Sequence, residues 1–183
     1  MVQISVLFFA ASLFASAFAS PVKRTVAQVE ADLADISSRV TTLDNNINAF
    51  PNSGGSLAAA LGIHTAATNL ATALDKGTTD VNATPAFSEA DGKTILNTVQ
   101  GFEPSILDAL KAIVAKKPAF DALPLGGVSG LVKQDLGNLK TSTDNLGSAL
   151  IAKSPADLVS QATTIKNNID AGFVPAQAAY ASA

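Results

Sequence analysis

The 183-residue chain contains no cysteine, no tryptophan and a single histidine. The first absence excludes disulfides, thiolate metal sites and cysteine nucleophiles. One histidine is too few for a histidine-based zinc site, and no D-x-D-x-D-G loop offers an EF-hand, so no metal and no cofactor is expected. Lys+Arg 12 against Asp+Glu 15 gives a net charge of −3, with no basic excess to hold nucleic acid. Aromatic residues are only 5%, although hydrophobic residues make up 48%. Alanine fills the gap, with 34 copies. It heads the helix-propensity scale, so the composition points to a helical protein.

The first twenty residues carry no charged side chain. An apolar run ends in Ala17-Phe18-Ala19, the A-x-A pattern of a signal peptide over 1–19, with no integral membrane anchor. Lys23-Arg24 has the form of a dibasic processing site, so 20–24 reads as a short propeptide. Residues 25–183 are then expected to form one domain, long enough to be stable by packing alone. Neither a GPI signal nor a Ser/Thr/Pro-rich stalk is recognised, so a secreted, extracellular product is expected. Asn82-Ala83-Thr84 is an N-glycosylation sequon with Pro85 directly after it.

From Val26 the apolar residues recur at alternating steps of three and four: Val29, Leu33, Ile36, Val40, Leu43, Ile47 and Phe50. That heptad stripe predicts a helix over 25–50, ~39 Å long. Pro51 to Gly55 form a turn. A second helix is expected over 56–76, capped by Ser56 and stopped at Gly77, with a loop over 78–87 carrying the sequon. A third opens at Ser88 and runs through Ile95, Val99, Phe102, Ile106, Leu110 and Ile113, with a kink at Pro104. Lys116 and Lys117 then complement its C-terminal dipole. The fourth spans about 128–153 on Val128, Leu131 or Val132, Leu136, Leu139, Thr143, Leu146 and Leu150. The fifth spans about 155–179, with Ser154 as cap, Pro155 at its first position, and Leu158, Ile165, Ile169 and Phe173 facing inward. No segment shows a period-two strand pattern. The fold class is therefore all-α, an antiparallel bundle of about five amphipathic helices.

Little in this pattern suggests catalysis. Gly126-Gly127-Val128-Ser129-Gly130 only approaches a nucleophile elbow, and His64 would be the sole base for Ser129. Asp32, Asp35 and Asp44 read as a solvated outer face. His64 reads as a boundary residue. Thr143 interrupts an apolar seam, either bonded to its own backbone four residues back or facing a cavity where it could hold a lipid carboxylate. The interior, rich in alanine and poor in aromatics, means close-packed seams or room for an acyl chain. An apolar cavity of ~300 Å³ or more would favour the second.

The ordered series Lys23-Arg24, Val29…Asp35-Ile36…Val40…Leu43…Ile47-Asn48-Ala49-Phe50, then Leu110…Ala115-Lys116-Lys117-Pro118-Ala119-Phe120, Asp135-Leu136…Leu139…Leu146 and Ile169-Asp170…Phe173…Ala178-Ala179-Tyr180 resembles the fungal hydrophobic surface binding protein A family. That family includes cell-wall galactomannoproteins. The resemblance covers roughly 25–180. It implies a secreted, non-enzymatic helical domain that adsorbs to hydrophobic surfaces; some relatives hold fatty acids inside the bundle, and some recruit secreted esterases. The bundle-interior residues put forward for lipid binding are Ile36, Val40, Leu43 and Ile47; Phe102, Ile106 and Leu110; Leu139, Thr143 and Leu146; and Ile165, Ile169 and Phe173. A structural cell-wall mannoprotein without a small-molecule ligand is the alternative, and a hydrolase the most distant reading.

Overall fold

The computed structural model describes residues 25–124 and 127–183. The signal segment, the propeptide with Lys23 and Arg24, and Gly126 lie outside the described residues.

Five helices account for most of the described chain: α1 (Val26–Ala49), α2 (Leu57–Ala83), α3 (Glu89–Asp121), α4 (Val128–Lys153) and α5 (Val159–Ala179). Three of them start on a side-chain cap. Thr25 accepts from the Gln28 amide, Ser56 from Ala59 and Ser88 from Asp91. Each cap satisfies one of the amides that a helix start leaves unpaired. α4 begins instead on Gly127, whose φ of +98° lies in the left-handed region open to glycine.

The helices pack in a closed ring. α1 lies against α2 and α3, α2 against α4, α4 against α5, and α5 against α3. Residues toward matching ends meet across three of these seams: Phe50 with Phe120, His64 with Asp135, and Tyr180 with Ile113. α1/α3, α2/α4 and α3/α5 are thus parallel neighbours, although consecutive helices reverse direction. One end of the ring is closed by Phe50 and Phe120, stacked at 4.4 Å, with Tyr180 fully buried nearby and donating its hydroxyl to Ile113 O at 2.9 Å. Segment 84–88 crosses the other end, its Phe87 amide bonded to Lys153 O. By length and composition α2 could cross a membrane; here it forms one wall of the ring.

Several boundaries differ from the sequence expectation. α2 does not stop at Gly77 but continues to Ala83. Gly77 is buried, and a Cβ on it would lie 3.3 Å from Ile36 Cδ1. The glycine permits close approach of α1 to α2 and does not terminate the helix. Asn82 therefore sits exposed on the last turn of α2, not in a loop, while Thr84 is buried and donates to Asp80 O. α3 runs on past Pro118 to Asp121, so Lys116 and Lys117 are not its end. Lys117 pairs with Asp121 and lies over the Tyr180 ring, and Lys116 reaches Asn52. Pro104 does not divide α3; that continuity does not amount to the kink. α5 starts at Val159, because Pro155 and Leu158 are spent on packing: a Cβ on Gly92 would come within 2.8 Å of Pro155 and 3.0 Å of Leu158. Ser154 caps the end of α4 and donates to Leu150 O. Pro175 lies within α5 and does not end it.

Candidate functional site

The helices leave between them an apolar cavity of about 140 Å³. Heptad spacing explains which residues reach it, since only the stripe of each helix points to the bundle axis. From α1 these are Ile36, Val40, Leu43 and Ile47. α3 contributes Phe102, Ile106 and Leu110, and α5 Ile165, Ile169 and Phe173. α4 adds Leu139, Thr143 and Leu146. Every bundle-interior residue named from the sequence therefore lines one space. α2 completes the wall with Ile63, Ala67, Leu70 and Leu74. These were not put forward as site residues.

The volume corrects one expectation. It falls well short of ~300 Å³, the lower end for pockets that take a whole drug-sized ligand. A space of this size lined mostly by Leu, Ile and Phe admits a benzene-sized guest. A long acyl chain needs the helices to move apart. The aromatics explain part of the closure, because Phe50, Phe120 and Tyr180 fill one end.

The polar side chains on the wall are Asp135, Thr143, Ser154 and Lys166. Thr143 makes no hydrogen bond to another described residue, whereas Thr65, Thr68 and Thr141 each donate to the carbonyl four residues back. The backbone-bonded reading of Thr143 does not hold; its hydroxyl is left available on the cavity wall. Asp135 is buried, and its carboxylate lies 2.9 Å from His64 Nδ1. Burial raises the Asp135 pKa, and the His64 contact opposes that rise. Sequence reasoning missed this pair. The signal was present, because Asp135 lies three residues after Val132 and four before Leu139 and so falls on the inner face. His64 thus belongs to Asp135, and Ser129 donates to Asp121 at 2.5 Å. The structure does not join Ser129 and His64 as a hydrolytic pair.

Lys166 lays its stem on Gly147, and its ammonium bonds Asp144 at 2.9 Å and Asp170 at 2.7 Å. Lys140 also reaches both carboxylates, tying α4 to α5. Burial alone would lift Asp144, but hydrogen bonds from Lys140 and Lys166 outweigh it and hold its pKa at about 2. The sign follows from linkage. A carboxyl depressed in the folded state adds stability above its unfolded pKa, and that contribution disappears as pH falls through the folded value. Asp144→Asn is therefore expected to unfold at lower urea than the parent near pH 6, with the gap closing toward about pH 2. A gap independent of pH in urea titrations would contradict this. Asp135, with its pKa raised, acts in the opposite sense, favouring the fold at low pH and losing that bonus as pH rises through its folded value.

One further expectation fails at α1. Asp32 is not on the solvated face. It is buried beneath α2, where Lys76 and the Gln28 amide donate to it, and its second oxygen has no hydrogen-bond partner. It sits immediately beside Leu33 of the stripe, and the glycine at 77 lets α2 close over it. Among the described residues, no group of three or more His, Asp or Glu is placed to hold a metal ion.

A ring of amphipathic helices around an apolar cavity defines a class of helical proteins with a hydrophobic interior. Residues 26–152 match the model of the hydrophobic surface binding protein A family, and the chain belongs to that family. It is 27% identical over 173 residues to cell wall mannoprotein 1 of Aspergillus flavus, covering 94% of the chain but spanning only 60% of the relative's length. Among solved structures, Afmp4p in complex with palmitic acid is 34% identical with a TM-score of 0.78, over 85% of this chain and 99% of that one. Ligand-binding domain 2 of the Penicillium marneffei MP1 protein, complexed with multiple arachidonic acids, shares the fold at 21% identity and a TM-score of 0.77, over 88% and 99% of the two chains.

Proposed function

We propose that this protein is a secreted, non-enzymatic binder of fatty-acid-like lipids and hydrophobic surfaces, acting through the interior of its bundle. The observation that carries the reading is that the apolar stripes of all five helices converge on one cavity, in the fold that holds palmitic acid in a relative of 34% identity. The Thr143 hydroxyl, which has no partner among the described residues, is available on the α4 wall to meet a carboxyl group.

The cavity, at about 140 Å³, is too small for a sixteen-carbon chain, so uptake requires the seams to part. Parting exposes apolar area at ~25 cal/mol per Å², which an acyl chain or a hydrophobic surface returns by covering it. The chain has no cysteine, so no disulfide resists the movement. Adsorption and lipid uptake are then two uses of one opening. A secreted esterase brought to such a surface would be a partner, and the wall mannoprotein relative supports an extracellular, wall-associated location.

Native mass spectrometry of the purified protein after exposure to palmitate tests the reading. A complex of defined stoichiometry is expected. Failure to retain any lipid would overturn it and favour the second reading, a wall mannoprotein without a small-molecule ligand, which the small volume supports.

A further inference from the structure

A second concavity, about 400 Å³, runs along the outside of the α2–α4 seam. Only Ala67 and Asp135 border both this groove and the inner cavity, so they form the partition between the two spaces. The partition is thin: one side is a methyl group, and the other is a carboxylate held by a single contact to His64 at the half-exposed rim. Beyond it the lining changes character. α4 presents Asn138, Ser142 and Asn145, and α2 presents Thr72 and Asp75. Ser142 is 6% exposed as a residue, and its hydroxyl, which is not itself buried, makes no hydrogen bond to another described residue. A hydroxyl that opens onto the groove and is not taken by the described residues can both donate to and accept from a ligand lying there.

We propose that the α2–α4 groove is a headgroup site: an acyl chain in the cavity passes between Ala67 and Asp135 and places an uncharged polyhydroxyl head, such as the glycerol of a monoacylglycerol, against Ser142, Asn138 and Asn145. The inference rests on acyl binding in the cavity, as proposed above. Charge selects the class of head. The groove lining holds no lysine or arginine and two acidic residues, Asp75 and Asp135. A carboxylate head placed there would meet like charge with no compensating cation. Amide and hydroxyl groups, which both donate and accept, suit a polyol. The Thr143 hydroxyl opens to the cavity and is not part of the groove, so a fatty acid and an acylglycerol would use different polar partners on α4.

The test is titration calorimetry of the full chain with monopalmitoylglycerol and with palmitate, for the parent and for Ser142→Ala/Asn145→Ala. The double variant is expected to weaken monopalmitoylglycerol about tenfold and to leave palmitate within about twofold. Equal weakening of both ligands, or of neither, overturns the headgroup site while the cavity reading stands. If the parent binds monopalmitoylglycerol no better than the double variant does, the inference fails likewise. Absence of binding by both ligands to the parent overturns the cavity reading itself. Unchanged far-ultraviolet dichroism of the variant verifies that it folds; if it does not fold, Asn138→Ala, at an exposed position, carries the same comparison.

Discussion

Ala109→Phe is expected to weaken palmitate binding by more than tenfold while the protein still folds. Ala109 is buried on α3 and faces the cavity. A phenyl ring there occupies the space an acyl chain needs. Overpacking costs ~1–3 kcal/mol where no void exists, and less where the added group enters one. The urea midpoint should therefore shift little, and the loss should appear in lipid retention by native mass spectrometry. Ala58→Phe, on the exposed face of α2, is the matched control and should retain the ligand. If Ala109→Phe binds palmitate as the parent does, the ligand does not lie in the cavity.

Lys76→Met is expected to cost about 3 kcal/mol of stability, the lower end of the ~3–5 kcal/mol found when one partner of a buried ion pair is removed. The lower end applies because the ammonium is partly solvated while its two partners are not. Lys76 is 57% exposed, whereas the Asp32 and Asp80 side chains are 9% and 3% exposed. The hydrogen bond to Asp32 is the main reason the Lys76 pKa is raised, with Asp80 second. Methionine keeps the stem and removes the charge, leaving Asp32 buried with one oxygen already lacking a partner. Combining Lys76→Met with Asp32→Leu should recover the Asp32 share of the loss, because an apolar pair of similar volume needs no counter-charge, while Asp80 still lacks its lysine. Urea unfolding of the parent, the single variant and the double variant reads this directly. A single variant as stable as the parent would show that the α1–α2 link is only a surface pair.

Much of the bundle is legible in the chain because helix formation is local. The unbroken three-four spacing from Val29 to Phe50 fixes both the existence of α1 and its buried face, and Ser56 and Ser88 mark helix starts by cap chemistry. The same periodicity named residues of α1, α3, α4 and α5 that share one cavity, since a stripe facing inward on each helix has nowhere else to go. Glycine and proline were less legible. Gly77 and Pro155 look like boundary signals, but each is placed by a partner distant in sequence: Ile36 for the glycine, Gly92 for the proline. No local rule distinguishes a glycine that ends a helix from one that admits a neighbouring helix.

The sequence by itself determined five amphipathic helices, their inner faces and the absence of covalent locks, because propensity, capping and periodicity act within a few residues. The tertiary structure alone decided the order of the ring, in which α2 lies beside α4 and α5 beside α3. That order follows from how five stripes close around a common axis, a property of no single helix. It decided that His64 meets Asp135, that Asp32 is buried under α2, and that a polar groove backs onto the apolar cavity. It also answered the question raised by the shortage of aromatics. The few there are close one end of the bundle and brace its sides, and alanine and glycine leave a small apolar space between them.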